Sequence, residues 1–158
     1  MPFKFFYKKI MQKKKINDFF EVYKLENKTS KEIPFAGEPV RAGFPSPADD
    51  FIDRTIDLNK ELVEHPSATF FIKVAGDSMI GANIFEGDIL IVDRALEPSA
   101  GDIVIAVVYG EFTLKRLIFD NGKVILRSEN PDYESIEIDR DTDFYVWGVV
   151  RTVIRKIK

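Results

Sequence analysis

Short, largely apolar runs, set between polar and glycine positions, recur from residue 69 to the end of the chain. They are rich in β-branched and aromatic residues, and Gly, Pro, Asp or Asn separates each run from the next. The runs are TFFIKV, DILIVD, DIVIAVVY, FTLKRLIF, KVILRS, ESIEID and DFYVWGVVRTVIRKI. Because the connections are short and no long helical pattern intervenes, these runs predict a compact, mostly antiparallel β domain. VVYGEFTL further predicts a tight hairpin around Gly110-Glu111.

The pattern before residue 69 is different. Apolar residues recur loosely at helical spacing within residues 1–28, which predicts a short helix there. Residues 46–63, SPADDFIDRTIDLNKELV, predict a second helix, because Ser46 suits the N-cap and Pro47 the first helical position. Its acidic first turn would complement the helix dipole. The apolar face of this helix would comprise Phe51, Ile52, Ile56, Leu62 and Val63.

A proline-rich segment lies between these two stretches. Residues 29–47 contain Pro34, Pro39, Pro45 and Pro47. Proline lacks an amide donor and favours an extended conformation in the residue before it. The composition therefore predicts an accessible, extended linker, the kind of segment that a protease binds as a strand.

Charge is distributed unevenly along the chain. The first 42 residues hold ten Lys/Arg against five Asp/Glu, whereas residues 43–158 hold thirteen against twenty-one. The basic start, with KKIMQKKK, is either a solvated tail or a surface that binds nucleic acid or a membrane. No apolar run approaches the ~18 residues that span a bilayer, and no secretory signal is apparent. We therefore expect a cytoplasmic protein without a membrane anchor.

Candidate chemistry centres on VAGDSMI, where a Gly-Asp turn presents Ser78 directly after a strand. A serine hydroxyl needs a base, but the usual hydrolase motifs are absent and the single histidine, His65, is expected to be a surface or cap residue. Lysine is the alternative base, and Lys115 in FTLKRLIF is the candidate. Its position alone leaves two interpretations open, an edge-strand gatekeeper or a buried functional amine. The chain has no cysteine, phosphate loop or metal-ligand cluster, so we expect no cofactor or metal.

Several motifs together resemble the self-cleaving domain shared by LexA-type repressors and UmuD-type mutagenesis proteins. The resemblance runs from about Gly43 to the C-terminus and includes GDSM at 76–79, EGD at 86–88, GDIV at 101–104 and GEFTLKR at 110–116. AGFPSPADDF, IDLNKELVEHPSATFF and WGVV are similar to the UmuD branch in particular. The resemblance implies a mainly β, strongly bent, mostly antiparallel domain with one short N-terminal helix and an extended N-terminal arm.

The resemblance also implies a site and a reaction. Ser78 would be the nucleophile, Lys115 its general base, and the backbone amides of Asp77 and Ser78 the oxyanion hole. The scissile bond would be Ala42–Gly43, which precedes FPSP, with Ala36–Gly37 as a competing Ala-Gly bond. Cleavage would remove an arm of residues 1–42 from a peptidase and dimerisation domain of residues 43–158. Burial would have to lower the pKa of Lys115, since an ordinary lysine is deprotonated in only about one molecule in 2,500 at pH 7.

The UmuD branch implies a homodimer whose self-cleavage is stimulated by a RecA–single-stranded DNA filament after DNA damage. The shortened form would then serve an error-prone UmuC-type translesion polymerase in the SOS response. A LexA-like repressor is the alternative, but only 42 residues precede Gly43, and their second half is proline-rich, which is too little for a three-helix DNA-reading domain. A signal-peptidase-like enzyme and a non-catalytic regulator are weaker alternatives, since the first needs a membrane anchor and the second a DNA-reading element. The long basic arm remains a candidate for direct DNA binding.

Overall fold

The computed structural model describes residues 21–24, 32–36 and 52–158, which form ten strands, one α-helix and one 3₁₀ turn. The α-helix, α1, spans Leu58–Leu62, and the 3₁₀ turn spans Ile80–Ala82. The strands are β1 (Glu21–Lys24), β2 (Glu32–Ala36), β3 (Ile52–Asp57), β4 (Thr69–Lys73), β5 (Ile89–Asp93), β6 (Ile103–Val108), β7 (Glu111–Asp120), β8 (Lys123–Arg127), β9 (Ile136–Ile138) and β10 (Phe144–Ile154).

Eight of these strands form one sheet, in the order β1-β4-β5-β10-β6-β7-β8-β9, and all its neighbouring strands pair antiparallel. β2 and β3 form a separate antiparallel pair. The prediction of a mainly β, mostly antiparallel domain with one short helix is confirmed. Register shifts interrupt β10 against both of its neighbours, as bulges that bend a strand do.

The apolar residues of the sheet pack into two clusters. One contains Ile72, Met79, Leu90, Ile105 and Leu114, all of them buried. The other contains Val104, Leu117 and Leu126, which are fully buried. Neighbouring residues of a strand, such as Val104 and Ile105 of β6, therefore belong to different clusters, so both faces of the sheet are packed.

The predicted helix over residues 46–63 is wrong in its middle part. Residues 52–57 are β3 instead, and the helix begins only at Leu58, after an N-cap at Asp57 whose side chain accepts a 3.0 Å hydrogen bond from the amide of Asn59. The register aligns Ile33 with Ile56, so backbone pairing with β2 overrides a helical pattern that rested on a few apolar positions. Positions 46–51, including the expected N-cap, lie outside the described residues.

Two further predictions are corrected by the pairing of strands. Within residues 1–28, Glu21–Lys24 form β1 rather than a helix, and they pair with β4; residues 1–20 lie outside the described part of the chain. The hairpin between β6 and β7 turns at Tyr109-Gly110, one residue earlier than expected. Both turn residues have positive φ, +50° and +82°, as a two-residue type I′ turn requires.

Across residues 52–158 and the two described N-terminal strands, no helix is long and apolar enough to cross a membrane.

Candidate active site

Ser78 lies in the turn that connects β4 to the 3₁₀ segment. Gly76 has a φ of +83°, a conformation that glycine adopts without strain, and it reverses the chain just before the serine. Met79, only 1% exposed, anchors the other side of the turn in the apolar core, whereas Ser78 itself is half-buried. The turn is thus anchored in the core by Met79 and presents the Ser78 hydroxyl at its half-buried surface.

Lys115 lies in β7, which pairs with β6 on one side and β8 on the other. In register, Lys115 pairs with Val104 of β6, and the pairing with β8 begins at Arg116. Because the Lys115 side chain is buried, the edge-gatekeeper interpretation does not apply. Lys115 is buried, and its Nζ lies 3.4 Å from Ser78 Oγ and 3.1 Å from the carbonyl oxygen of Leu114. The structure brings together the two side chains that the sequence singled out.

Burial lowers the pKa of the Lys115 amine from its ordinary value, because desolvation disfavours the charged form. A lowered pKa increases the fraction of neutral amine at neutral pH, and only the neutral form has a lone pair that can accept the Ser78 proton. The bond to the Leu114 carbonyl uses one N–H of the amine and so orients it toward the serine. The pair is equipped for general-base activation of a hydroxyl.

The amides of Asp77 and Ser78, the expected oxyanion donors, remain available in the structure. Within the described part of the chain, neither amide donates a hydrogen bond. By contrast, the carbonyl oxygens of both residues are occupied, since Asp77 accepts from Asn130 at 3.0 Å and Ser78 accepts from the Glu129 amide at 2.9 Å. The carbonyl oxygens of Asp77 and Ser78 thus hold the turn in place, whereas their amides are free to bind an oxyanion.

Residues 129–133 form a segment that binds the Ser78 turn, and sequence analysis did not identify it. Besides the two bonds above, the Gly81 amide donates to the Glu129 carbonyl at 2.7 Å, and the Tyr133 hydroxyl donates to Asp77 Oδ1 at 2.5 Å. The hydrogen bond to Asp77 raises the pKa of Tyr133. The NPDY sequence indicates a turn, but nothing in it indicates a contact with a turn some fifty residues away.

The Glu129 side chain extends this network toward the lysine strand. Its carboxylate accepts hydrogen bonds from Arg116 Nε at 2.5 Å and Arg127 Nη2 at 3.1 Å, which hold the pKa of Glu129 below its ordinary value. Arg116 also donates to the carbonyl oxygen of Gly101 at 2.7 Å. Since Arg116 follows Lys115 directly, these contacts connect the 129–133 segment to the strand that carries the amine.

His65 does not contact Ser78. Its Nδ1 lies 2.6 Å from Asp93 Oδ2, and this hydrogen bond raises the pKa of the partly exposed imidazole. Ligand atoms of Glu64, His65 and Asp93 lie within 4.8 Å of one another, a spacing compatible with a metal ion. The second oxygen of Asp93 accepts a 2.8 Å bond from the Ala95 amide, so the buried carboxylate is already satisfied.

The EGD motif has a structural function here. Asp88, 2% exposed, accepts bonds from the Phe85 amide at 2.8 Å and from the Arg155 guanidinium at 2.6 and 2.7 Å. These bonds, those of Arg155 above all, hold the pKa of Asp88 below its ordinary value. The motif ties the segment after the 3₁₀ turn to the end of β10. The expected scissile bond, Ala42–Gly43, lies outside the described residues.

Comparison with known proteins gives a consistent result. A family model described as Peptidase S24-like matches residues 34–151, which include both Ser78 and Lys115. The chain is 43% identical over 119 residues to protein MucA of Salmonella typhimurium, covering 75% of this chain and 81% of that protein. It is 39% identical over 126 residues to protein ImpA of Escherichia coli, covering 79% and 85%. It is 36% identical over 121 residues to the LexA repressor of Clostridium perfringens, covering 75% and 59%.

Proposed function

The chain belongs to the peptidase S24-like family of serine peptidases, as a UmuD-like member of the LexA/UmuD group, and from that premise we propose that Ser78 and Lys115 are a catalytic dyad that cleaves the protein's own chain. The observation that carries the proposal is the 3.4 Å approach of Lys115 Nζ to Ser78 Oγ, combined with burial of the amine. Burial of the Lys115 amine favours its neutral form, and the short separation from Ser78 Oγ is compatible with proton transfer, so both observations support the proposal.

The reaction proceeds in two stages. Neutral Lys115 takes the proton of Ser78 as Oγ attacks the carbonyl carbon of Ala42, and the amides of Asp77 and Ser78 stabilise the negative oxygen of the tetrahedral intermediate. Lys115 then gives the proton to the Gly43 nitrogen, which leaves as a new N-terminus while Ala42 remains esterified to the serine. Water, deprotonated by the neutral amine, hydrolyses the ester and restores both side chains. Because the substrate is tethered, a slow catalyst suffices once the linker docks.

Cleavage at Ala42–Gly43 would change the large sheet as well as the chain length. β1 pairs with β4 at one end of the sheet, and it belongs to the arm that is removed. β2, the partner of β3, is removed with it. The processed domain of residues 43–158 therefore has a free β4 edge, a ready surface for pairing with another strand.

The likeness to UmuD-type proteins supports the biological assignment. We infer an SOS mutagenesis protein that forms a homodimer and cleaves itself when a RecA–single-stranded DNA filament binds it. The processed form then acts as an accessory subunit of a UmuC-type error-prone polymerase. The LexA-like alternative predicts instead that the intact protein binds an operator sequence and loses this binding on cleavage.

Incubation of the purified protein with activated RecA filament tests the proposal. The expected result is a new N-terminus at Gly43, detected by mass spectrometry, in the native protein but not in Ser78→Ala or Lys115→Ala. A terminus at Gly37 would assign the cleavage to the competing bond, and cleavage in Ser78→Ala would reject the dyad. Sequence-specific operator binding by the intact protein in a gel-shift assay would favour the repressor.

A further inference from the structure

We propose that Asn130 is a positioning residue that aims the backbone amide of Ser78 at the oxyanion of the reaction; this inference rests on the proposed function. Asn130 is 5% exposed and its side chain donates a 3.0 Å hydrogen bond from Nδ2 to the carbonyl oxygen of Asp77. It contacts neither Ser78 Oγ nor Lys115 through any hydrogen bond of the described residues. Its side chain therefore reaches the Ser78 turn through the peptide group of Asp77.

That peptide group joins Asp77 to Ser78. Because it is planar, a hydrogen bond that fixes the Asp77 C=O also fixes the direction of the Ser78 N–H. The described backbone contains no cis peptide bond. In a planar trans peptide the C=O and N–H groups point in opposite directions. The Asp77 carbonyl accepts the 3.0 Å bond from Asn130 and a longer one, 3.4 Å, from the Ile80 amide. By holding this oxygen with the shorter bond, Asn130 directs the Ser78 N–H away from the 129–133 segment.

The peptide on the other side of the serine is held in the same way. Glu129 donates its amide to the Ser78 carbonyl at 2.9 Å. Ser78 thus lies between two peptide planes that are both anchored to one segment, which restricts its φ and ψ and hence the direction of its Cα–Cβ bond. The same segment therefore orients the hydroxyl and one proposed oxyanion donor relative to each other.

Asn130 is itself held in the orientation that this function needs. Its Oδ1 accepts a 3.1 Å bond from the Asp132 amide, so a flip of the side-chain amide would cost two hydrogen bonds. Tyr133 contacts the same residue of the turn, but through the Asp77 carboxylate rather than the carbonyl. This difference offers a matched comparison, because Tyr133→Phe loses a neighbouring bond while leaving the peptide plane anchored.

The test separates activation of the nucleophile from stabilisation of the oxyanion. Self-cleavage of the full chain without RecA is measured from pH 7 to pH 10.5 in the native protein, Asn130→Ala and Tyr133→Phe. For Asn130→Ala we expect the plateau rate to fall at least about tenfold, given that loss of an oxyanion donor costs about 10²–10³ in rate. The pH midpoint should be unchanged, because the surroundings of Lys115 are not altered, and Tyr133→Phe should lose less activity.

A second measurement uses Ser78→Cys and iodoacetamide, whose displacement of iodide by the thiolate develops no oxyanion. Adding Asn130→Ala to this variant should leave the alkylation rate within about twofold at each pH. If Asn130→Ala fails to fold, Asn130→Asp replaces it, since the carboxylate is nearly isosteric but cannot donate to the carbonyl. A plateau within about threefold of the native value, or equal losses of cleavage and alkylation, would overturn the inference. Absence of Ser78-dependent cleavage in the native protein would instead reject the proposed function.

Discussion

Lys115 Nζ lies 3.4 Å from Ser78 Oγ and, at the same time, 3.1 Å from the carbonyl oxygen of the residue before it in β7. These two contacts suit a neutral amine. One N–H is used by the carbonyl, and the lone pair is left for the serine proton. Burial of the Lys115 side chain supplies the desolvation that favours this form.

The rate of self-cleavage without a partner should rise with pH above neutrality and level off once Lys115 is largely deprotonated. The reason is that general-base catalysis follows the fraction of free amine, and burial brings that fraction up at a lower pH than in an exposed lysine. Lys115→Ala and Lys115→Arg should both abolish cleavage, since arginine does not deprotonate. Rates are measured by gel densitometry across pH 7 to 10.5.

His65→Ala serves as the control for these rates and should cleave nearly normally, because the imidazole binds Asp93 rather than Ser78. A rate that stays flat with pH, or that persists in Lys115→Ala, would exclude lysine as the base.

The free energy of unfolding should also depend on pH through the lowered pKa of Lys115. Its folded-state pKa is lowered, so between that pKa and the ordinary value of 10.5 the unfolded chain binds more protons than the folded one. The free energy of unfolding of the native protein should therefore increase with pH across this window, relative to Lys115→Met. Urea denaturation of both proteins at several pH values measures the difference, and parallel curves would contradict a depressed pKa.

The stabilisation of the fold by the His65–Asp93 pair should decrease as pH rises, opposite to the effect of Lys115. The hydrogen bond that His65 Nδ1 donates to the Asp93 carboxylate raises the folded-state pKa of His65 above the ordinary value of 6.5. Its contribution is thus fully present below pH 6.5 and is lost as pH rises through the folded-state pKa. Relative to His65→Gln, the native protein should show a higher Tm at pH 5.5 that disappears at alkaline pH. A difference in Tm that does not change with pH would show that the charge of the imidazole is irrelevant.

Two glycines allow packing and catalysis to be separated. A Cβ at Gly81 would lie 2.5 Å from the carbonyl oxygen of Glu129, and one at Gly148 would lie 2.6 Å from Val92 Cγ1. Alanine at either position should cost about 1–3 kcal/mol in the free energy of unfolding, because the neighbouring groups must move. Only Gly81→Ala should also slow cleavage in the folded protein, since it pushes the 129–133 segment away from the Ser78 turn. Equal cleavage by the two folded variants would argue against this segment as a support of the site.

Removal of residues 1–42 should expose the free edge of β4. In the processed protein, amide hydrogen exchange in Thr69–Lys73 should become faster than in a Ser78→Ala full-length protein, because β1 no longer pairs there. β6 is the internal control, since β10 and β7 flank it on both sides before and after cleavage. Unchanged exchange in β4 would mean that β1 does not protect this edge in solution.

The local pattern of residues was sufficient for much of the fold. The seven runs from residue 69 onward all contain strands, β4 to β10, because short runs of β-branched and aromatic residues separated by turn residues favour strands. The GDSM and FTLKR motifs, through their resemblance to the LexA/UmuD family, selected Ser78 and Lys115, which the fold brings together. These features depend on neighbouring residues or on short motifs, and both are visible in a single sequence.

Tertiary structure decided the features that depend on distant partners. Residues 52–57 carry apolar positions that fit a helix, yet they form a strand because β2 pairs with them. The position of Lys115 within its strand favoured an edge gatekeeper over a buried amine, and only the burial of its side chain beside Ser78 decides for the amine. Asn130 contacts a turn 53 residues away. Such a contact arises from the path of the whole chain, since hydrogen bonds between remote segments leave no periodic trace in the sequence.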